Sequence, residues 1–180
     1  MTSPASAHSH RRLRPAERQH VSADVFRRAL AAHPAGVVVV TGRDEDGPVG
    51  LTATSFVSIS LDPPLVGFAV AVTSSTWPRL RSADTLVVHL LAEGQDRIAN
   101  VFATKGVDRF AEPTSWLPMT TGEPLLTEVT TWMRCRTEEH IAIGDHYLVV
   151  ARVLDACVDG ETSPLLYHNR GYRGVREAGS

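Results

Sequence analysis

Cysteine is scarce in this chain, which contains only Cys135 and Cys157. Two distant cysteines without a CxxC pair exclude a disulfide framework and a cysteine zinc cage. We therefore expect a protein without a metal site. Lysine is scarcer still, since Lys105 stands alone among 18 basic residues. We interpret this excess of arginine as genomic composition bias rather than as chemistry.

Long apolar runs are also missing. No segment approaches the roughly 18 uninterrupted apolar residues of a membrane span, and the basic start of the chain lacks the apolar stretch of a secretory signal. We therefore expect a cytoplasmic protein with no membrane partner. A formal net charge of −2 argues against a general affinity for nucleic acid.

The chain divides into a short tail and one domain. Residues 1–20 contain four arginines and one acidic residue, a charge of +3, which leaves −5 on the remainder. The tail has no apolar periodicity, so we predict that it is disordered. Residues 21–176 have the length of one globular domain, and the hydrophobic content of 43% is enough for its core.

The pattern along this domain is typical of an antiparallel β protein. Ser22 is a suitable N-cap for a helix with Val25, Phe26, Ala29 and Leu30 on one face. The β-branched run 37–41 predicts a strand buried on both faces. Further strands are predicted at 49–60, 65–72, 85–91, 127–143, 146–158 and 164–167, with helices near 76–80 and at 95–104 and an irregular loop at 105–123. Many short strands and few helices predict a mainly β fold, a closed antiparallel barrel with a few peripheral helices.

The segment 50–65 is the most informative part of the chain. It reads as a buried strand, yet it concentrates hydroxyls at Thr52, Thr54, Ser55, Ser58 and Ser60. A strand buried for packing alone would carry β-branched and aromatic residues. These side chains offer hydrogen bonds and little bulk, as the wall of a site for a flat polar ligand requires. The alternative is an edge strand with one face in water.

Two further clusters could bind a ligand. Thr73–Thr76 opens a short helix, where free amides and the helix dipole favour a phosphate, although an ordinary N-cap with Ser75 or Thr76 has the same pattern. Gly144-Asp145 is a sequence typical of hairpin turns, and it places His146 at the start of a strand. His146 could face a ligand with Asp145 orienting it, or it could be a surface histidine.

The last cluster is the aromatic and basic segment 167–173. It could cover a planar ligand, contact a second subunit, or form a solvated tail. No glycine-rich fingerprint of the dinucleotide-fold or P-loop kind is present, and no nucleophile elbow is found.

Taken together and in order, these motifs resemble the flavin reductase-like family. Gly50-x-Thr52-x-x-Ser55-Phe56-x-Ser58-x-Ser60-Leu61-x-Pro63-Pro64-Leu65-Val66 is similar to its central signature. The resemblance begins at Phe26–Leu30 and Gly36–Thr41 and continues through Ser74 with Thr76-Trp77, Val88-x-Leu90-Leu91 with Gln95, Phe102-Ala103, Arg109-Phe110, Gly144-Asp145-His146 and Pro164–Tyr167. It is greatest with the reductase component of two-component monooxygenases.

The resemblance implies a homodimer of Greek-key split barrels that binds FMN or FAD near the dimer interface. It implies a reaction in which NADH or NADPH reduces the flavin, which then leaves for a partner monooxygenase. Along the flavin ring it implies Thr52, Ala53, Thr54, Ser55, Phe56 and neighbouring Ser58, and at the phosphate Ser74, Ser75 and Thr76. Phe102 and Arg109 would contact the far end of the flavin. Pro48, Gly50 and Tyr172 would help to position the dinucleotide. His146 would lie beside the nicotinamide.

Two positions depart from the family pattern, and several alternatives stay open. Thr54 stands where these proteins often have Asn, and His89 replaces the Asn of the fourth strand. The sequence does not determine whether the flavin is FMN or FAD, or whether the dinucleotide is NADH or NADPH. The alternatives are a non-enzymatic flavin carrier, a relative that uses deazaflavin or heme, and a structural barrel without a ligand.

Overall fold

The computed structural model describes residues 20–175. The predicted tail therefore lies outside the described residues except for His20, and so does residue 176 at the other boundary. The elements are α1 (Ala23–Ala31), β1 (Ala35–Gly36), β2 (Val38–Asp44), β3 (Gly47–Ala53), β4 (Val57–Leu61), β5 (Pro64–Ala71), α2 (Trp77–Ser82), β6 (Leu86–Leu90), α3 (Asp96–Ala103), β7 (Trp116–Pro118), β8 (Pro124–Leu126), β9 (Thr131–Ile143), β10 (His146–Val158), β11 (Leu166–His168) and β12 (Gly171–Arg173).

One antiparallel sheet of seven strands forms the body of the domain. Its order is β3-β2-β6-β9-β10-β5-β4, a three-stranded sheet β1-β11-β12 lies beside it, and β7 and β8 form a separate hairpin. The mainly β fold with a few helices is confirmed. Strands β3 and β4 stand at the two ends of the ladder without pairing to each other, so closure of the barrel stays a prediction.

Strand β2 separates two apolar clusters. Val38 and Val40 pack into one cluster with Phe68, while Val37 and Val39 pack into the other with Phe102. Because neighbouring side chains of a strand point to opposite faces, one run of valines supplies both cores. The predicted burial of this strand on both faces is confirmed.

The prediction of a single strand over residues 49–60 is wrong, because the strand is broken at Thr54–Phe56. The hydroxyl of Ser55 accepts a hydrogen bond from the Ala69 amide at 2.8 Å and lies 3.2 Å from the Ala69 carbonyl oxygen. A short polar side chain can satisfy backbone groups in this way in place of a ladder partner. The break sends the chain from β3 at one end of the sheet to β4 at the other.

The helices follow their predicted positions with one difference in capping. Ser22 caps α1 by accepting from the Val25 amide, and α3 buries Ile98, Ala99 and Phe102. At α2 Thr76 stands at the N-cap position as predicted, but its side chain makes no capping bond, and Ser74 Oγ accepts from the Thr76 and Trp77 amides instead.

The loop predicted at 105–123 and the start of the long strand at 127 also differ from the structure. The predicted loop contains β7, and the predicted strand begins only at Thr131, as β9. Across residues 20–175, no helix is long and apolar enough to cross a membrane. The same part of the chain has no cluster of three or more His, Cys, Asp or Glu that could hold a metal ion.

Candidate functional site

Two adjoining cavities lie where β3, β5, the loop before α2 and the end of α3 meet. The first has a volume of about 260 Å³ and the second about 300 Å³, and they share Ser75, Thr76 and Arg109. The first is lined by Leu51, Thr52, Ala69, Val70, Ala71, Thr73, Ser74, Ser75, Thr76, Phe102, Ala103, Lys105 and Arg109. The second is lined by Pro48, Val49, Gly50, Ser75, Thr76, Arg79, Gly106, Val107, Asp108, Arg109 and Phe110.

The two cavities bring together eight predicted residues from distant parts of the sequence. They are Pro48, Gly50, Thr52, Ser74, Ser75, Thr76, Phe102 and Arg109. These come from one strand, one loop, one helix and the segment that follows the helix. Sequence reasoning did not select Lys105, Arg79, Asp108 or the β5 residues 69–71, which also line the cavities.

Helix α3 is held closely against β3 at this site. A Cβ added to Gly50 would lie 2.7 Å from Phe102 Cε1 and 2.9 Å from the Val40 carbonyl oxygen, so glycine is required for this approach. The Thr52 hydroxyl donates to the Ala99 carbonyl oxygen at 2.7 Å. One predicted hydroxyl therefore binds the helix and fixes the base of the first cavity.

The loop 73–76 presents hydroxyls to both cavities. The turn is internally bonded. The Ser74 amide donates to the Ala71 carbonyl oxygen at 2.9 Å, and Ser74 Oγ accepts from the Thr76 and Trp77 amides. The exposed side chains of Thr73 and Ser75 face the cavities. The loop is thus an internally bonded wall rich in hydroxyl groups.

Arg109 lines both cavities and is bonded to three elements around them. Its Nη1 donates to the Gly50 carbonyl oxygen and to Thr76 Oγ1, both at 2.8 Å. Its Nε and Nη2 donate to the Thr104 carbonyl oxygen at 3.2 and 2.8 Å. Partial burial lowers the pKa of the guanidinium. One side chain thereby joins β3, the loop before α2 and the end of α3.

Arg79 lies in the second cavity and is engaged by a carboxylate. It makes two hydrogen bonds to Asp44, at 2.8 and 2.6 Å, and a third to the Gly47 carbonyl oxygen. The hydrogen bond from Arg79 lowers the pKa of Asp44, and the same bond raises the pKa of Arg79. The pair fixes α2 against the β2–β3 turn.

His146 lines neither cavity, but it is paired with a residue that does. It is directly opposite Ala71 in the β10–β5 ladder, and Ala71 lines that cavity. Its Nδ1 is 2.7 Å from Asp145 Oδ1, a hydrogen bond that lowers the pKa of Asp145. The ring is held by its neighbour and its side chain is 47% exposed, so it remains accessible to a ligand.

The remaining predicted residues do not line either cavity. Ala53, Thr54, Ser55, Phe56 and Ser58 continue beyond Thr52 through the break and into β4. Tyr172 packs edge-on against Tyr167, with ring centroids 5.4 Å apart, in the small sheet. Their contacts with a cofactor stay predictions.

The sequence matches a protein family and is similar to reductases of two Rhodococcus species. The family described as flavin reductase like domain matches residues 30–176. An NADH:FMN oxidoreductase of Rhodococcus erythropolis is 47% identical over 156 residues, which cover 84% of this chain and 81% of that protein. The reductase subunit of a flavin-dependent monooxygenase of Rhodococcus jostii is 33% identical over 150 residues, covering 83% and 76% of the two chains.

The fold is similar to that of solved structures. An NADH:FAD oxidoreductase of Streptomyces globisporus, solved with NAD and FAD fragments, superposes with a TM-score of 0.80 at 30% identity. The match covers 86% of this chain and 93% of that protein.

Proposed function

Because this chain belongs to the flavin reductase-like family, we propose that it is an NAD(P)H-dependent flavin reductase that supplies reduced flavin to a monooxygenase. The names of its relatives support the choice of NADH and a flavin as substrates and of a monooxygenase as the recipient. The observation that carries the proposal is the pair of cavities, which unites the hydroxyl-rich loop with the central signature strand. We also propose that the reaction takes place in the cytoplasm, where a freely diffusing pool of reduced dinucleotide is available.

The residues of the first cavity would suit the terminal phosphate of FMN or the diphosphate of FAD. Ser74, Ser75 and Thr76 would hold the phosphate, with the aromatic ring of Phe102 at the base. The ring system would extend along Thr52–Phe56, where the break in the strand places polar groups outside the ladder. This arrangement combines the few polar groups and the apolar base that are typical of small-molecule sites.

The bound flavin would supply a ring that accepts a hydride from reduced nicotinamide. The task of the chain is to hold two planar rings in contact, so proximity is the main catalytic contribution. His146, which is hydrogen-bonded to Asp145 and paired with Ala71 of the first cavity, would orient the dinucleotide. The mechanism requires no side chain to act as an acid or a base.

We further propose that two copies assemble through β4 and that the sheet closes as a Greek-key split barrel. Val57, Ile59 and Leu61 are exposed on this edge strand, Leu61 to 91%. A contiguous exposed apolar strand marks an interaction surface, and a second copy would cover it. Contact between β3 and β5, which are distant in the ladder order, supports the curling of the sheet.

One assay tests the activity. NADH and NADPH are each mixed with the protein and FMN, FAD or riboflavin, and absorbance at the reduced-nicotinamide band is followed. Oxidation that requires protein and flavin supports the proposal. Tight flavin binding without oxidation would show a carrier, a Soret band in a flavin-free preparation would show a heme protein, and no affinity for any flavin would refute the proposal.

A further inference from the structure

We propose that the second cavity and a third one beside it bind an adenosine group, with the ribose in the second cavity and the adenine in the third. The inference rests on the proposed function, because FAD and NADH each carry an adenosine that is joined to a diphosphate. It gives a role to cavities that lie beyond the proposed site of the flavin phosphate.

The third cavity lies between the less buried face of α3 and the segment that follows this helix. It has a volume of about 240 Å³ and is lined by Asn100, Val101, Thr104, Val107, Asp108, Ala111, Glu112, Pro113 and Thr114. Sites for whole small molecules begin at about 300 Å³, so the third cavity suits one ring of a longer ligand.

The three cavities form one continuous run. The third shares Val107 and Asp108 with the second, and the second in turn shares three residues with the first. A ligand whose phosphate lies at the loop 73–76 can therefore continue through the second cavity into the third.

The charges of the second cavity favour a neutral group with hydroxyls. Arg79 is already paired with Asp44 at 2.6 Å, and Arg109 donates to backbone and hydroxyl oxygens. The carboxylate of Asp108 opposes a phosphate but accepts hydrogen bonds from ribose hydroxyls, as acidic residues do in other nucleotide sites. Its Oδ1 accepts from the Phe110 amide at 3.0 Å, which orients the carboxylate, and its Oδ2 can accept from the sugar.

The third cavity has the chemistry of an adenine site. Its apolar side chains suit the faces of a flat ring, and they are Val101, Val107, Ala111 and Pro113. The carboxylate of Glu112 can accept from an amino group, and the amide of Asn100 can pair with a ring nitrogen. No lysine, arginine or histidine is among the described residues that line this cavity, so an anionic group is not favoured there. Adenine is flat and neutral and carries one amino group.

The segment that carries both cavities is held by contacts within the chain. Arg97 Nη1 donates to the Pro113 carbonyl oxygen at 3.3 Å, and Trp116 Nε1 donates to the Phe110 carbonyl oxygen at 3.1 Å. The Phe110 ring also packs edge-on against Phe102 of α3, with ring centroids 5.2 Å apart. A site whose walls are already ordered loses less entropy when a ligand binds.

The test uses two variants of the full chain, Asp108→Ala, which removes the acceptor for the ribose, and Ala111→Trp, which fills the third cavity. Isothermal titration calorimetry gives the dissociation constants of FMN and FAD, and kinetics at saturating FMN gives the Michaelis constant of NADH. If the adenosine is that of FAD, each variant should raise the dissociation constant of FAD about tenfold, as for loss of a hydrogen bond to a charged group. The constant for FMN should stay within twofold. If the adenosine is that of NADH, the Michaelis constant of NADH should rise about tenfold, with the affinity for both flavins unchanged.

Asp84→Ala is the matched control, because it removes an exposed carboxylate that lines none of the three cavities. It should leave all three constants within twofold. Thermal unfolding shows whether each variant is folded. If Asp108→Ala is not, Ala111→Trp, at an exposed position, still decides the matter.

An FAD affinity and a Michaelis constant for NADH that both stay within twofold would overturn the inference. Equal losses of affinity for FMN and FAD would also overturn it, because FMN has no adenosine. A wild-type protein that oxidises no NADH with any flavin would instead refute the proposed activity, and the calorimetry with FAD would still test the adenosine site.

Discussion

At the scale of single residues, the proposed contact of His146 with the dinucleotide can be tested by substitution. Its ring is hydrogen-bonded to Asp145, and it is paired with Ala71, which lines the first cavity. We expect His146→Ala to raise the Michaelis constant for reduced dinucleotide about fivefold, the effect of losing one hydrogen bond, and to leave flavin affinity unchanged. Steady-state kinetics measures this, with His33→Ala in the exposed turn after α1 as control. An unchanged Michaelis constant with flavin binding intact would remove His146 from this role.

His89 is a second histidine with a definite role, and it is structural. Its Nδ1 is 3.2 Å from the Val39 carbonyl oxygen, and its Nε2 accepts from the Leu126 amide at 3.0 Å. The ring must therefore be neutral with the proton on Nδ1. Burial lowers the pKa of His89 to about 4.

This pKa predicts a pH dependence of stability. Between pH 6.5 and about 4 the unfolded chain binds a proton at His89 that the folded protein does not bind. The free energy of unfolding should therefore fall by about 3 kcal/mol as the pH decreases through this range. Urea unfolding of the wild type and of His89→Gln at several pH values measures the effect. The variant should show the shallower dependence, and equal slopes would contradict the prediction.

At the scale of elements, the β7–β8 hairpin is attached to the main sheet by polar contacts from three strands. The Thr41 hydroxyl donates to the Pro124 carbonyl oxygen at 2.6 Å, His89 accepts from Leu126, and Arg134 Nε donates to Glu123 Oε1 at 2.8 Å. Burial tends to raise the pKa of Glu123, but hydrogen bonds from Thr121, Thr85 and Arg134 outweigh it and lower this pKa to about 2.

We expect Glu123→Gln to lower the free energy of unfolding by about 3 kcal/mol, because it leaves the charge of Arg134 without its partner in a mostly buried site. Glu123 is 2% exposed in this pair. The matched control is Glu128→Gln, whose pair with Arg97 has both side chains 44% exposed and should contribute less than about 1 kcal/mol. Denaturant unfolding gives the change in free energy of unfolding for both variants. Equal changes would show that burial does not determine how much an ion pair contributes to stability.

At the scale of the whole molecule, the exposed apolar strand β4 predicts the assembly. Leu61→Asp should convert the proposed dimer into a monomer, because a buried carboxylate without a partner opposes association. Light scattering after size exclusion measures the mass. Leu117→Asp, on the exposed β7 strand, is the control and should remain dimeric. Dimers in both variants would place the interface elsewhere.

The sequence alone determined the type and approximate position of most elements, because apolar periodicity and turn residues act over a few neighbours. The run 37–41, the Gly144-Asp145 turn and the Ser22 cap are local signals of this kind. The central signature also indicated the family, since its spacing of hydroxyls and prolines is specific when read together.

The tertiary structure alone decided how that signature is used. The break at Thr54–Phe56 depends on Ser55 meeting the backbone of Ala69 on another strand, a contact that strand periodicity does not encode. The cavities likewise depend on Arg109 reaching Gly50, which is 59 positions away in the chain, and on α3 packing against a glycine. Lys105 lines the first cavity together with the hydroxyls of the loop 73–76, and only the fold brings these distant residues together.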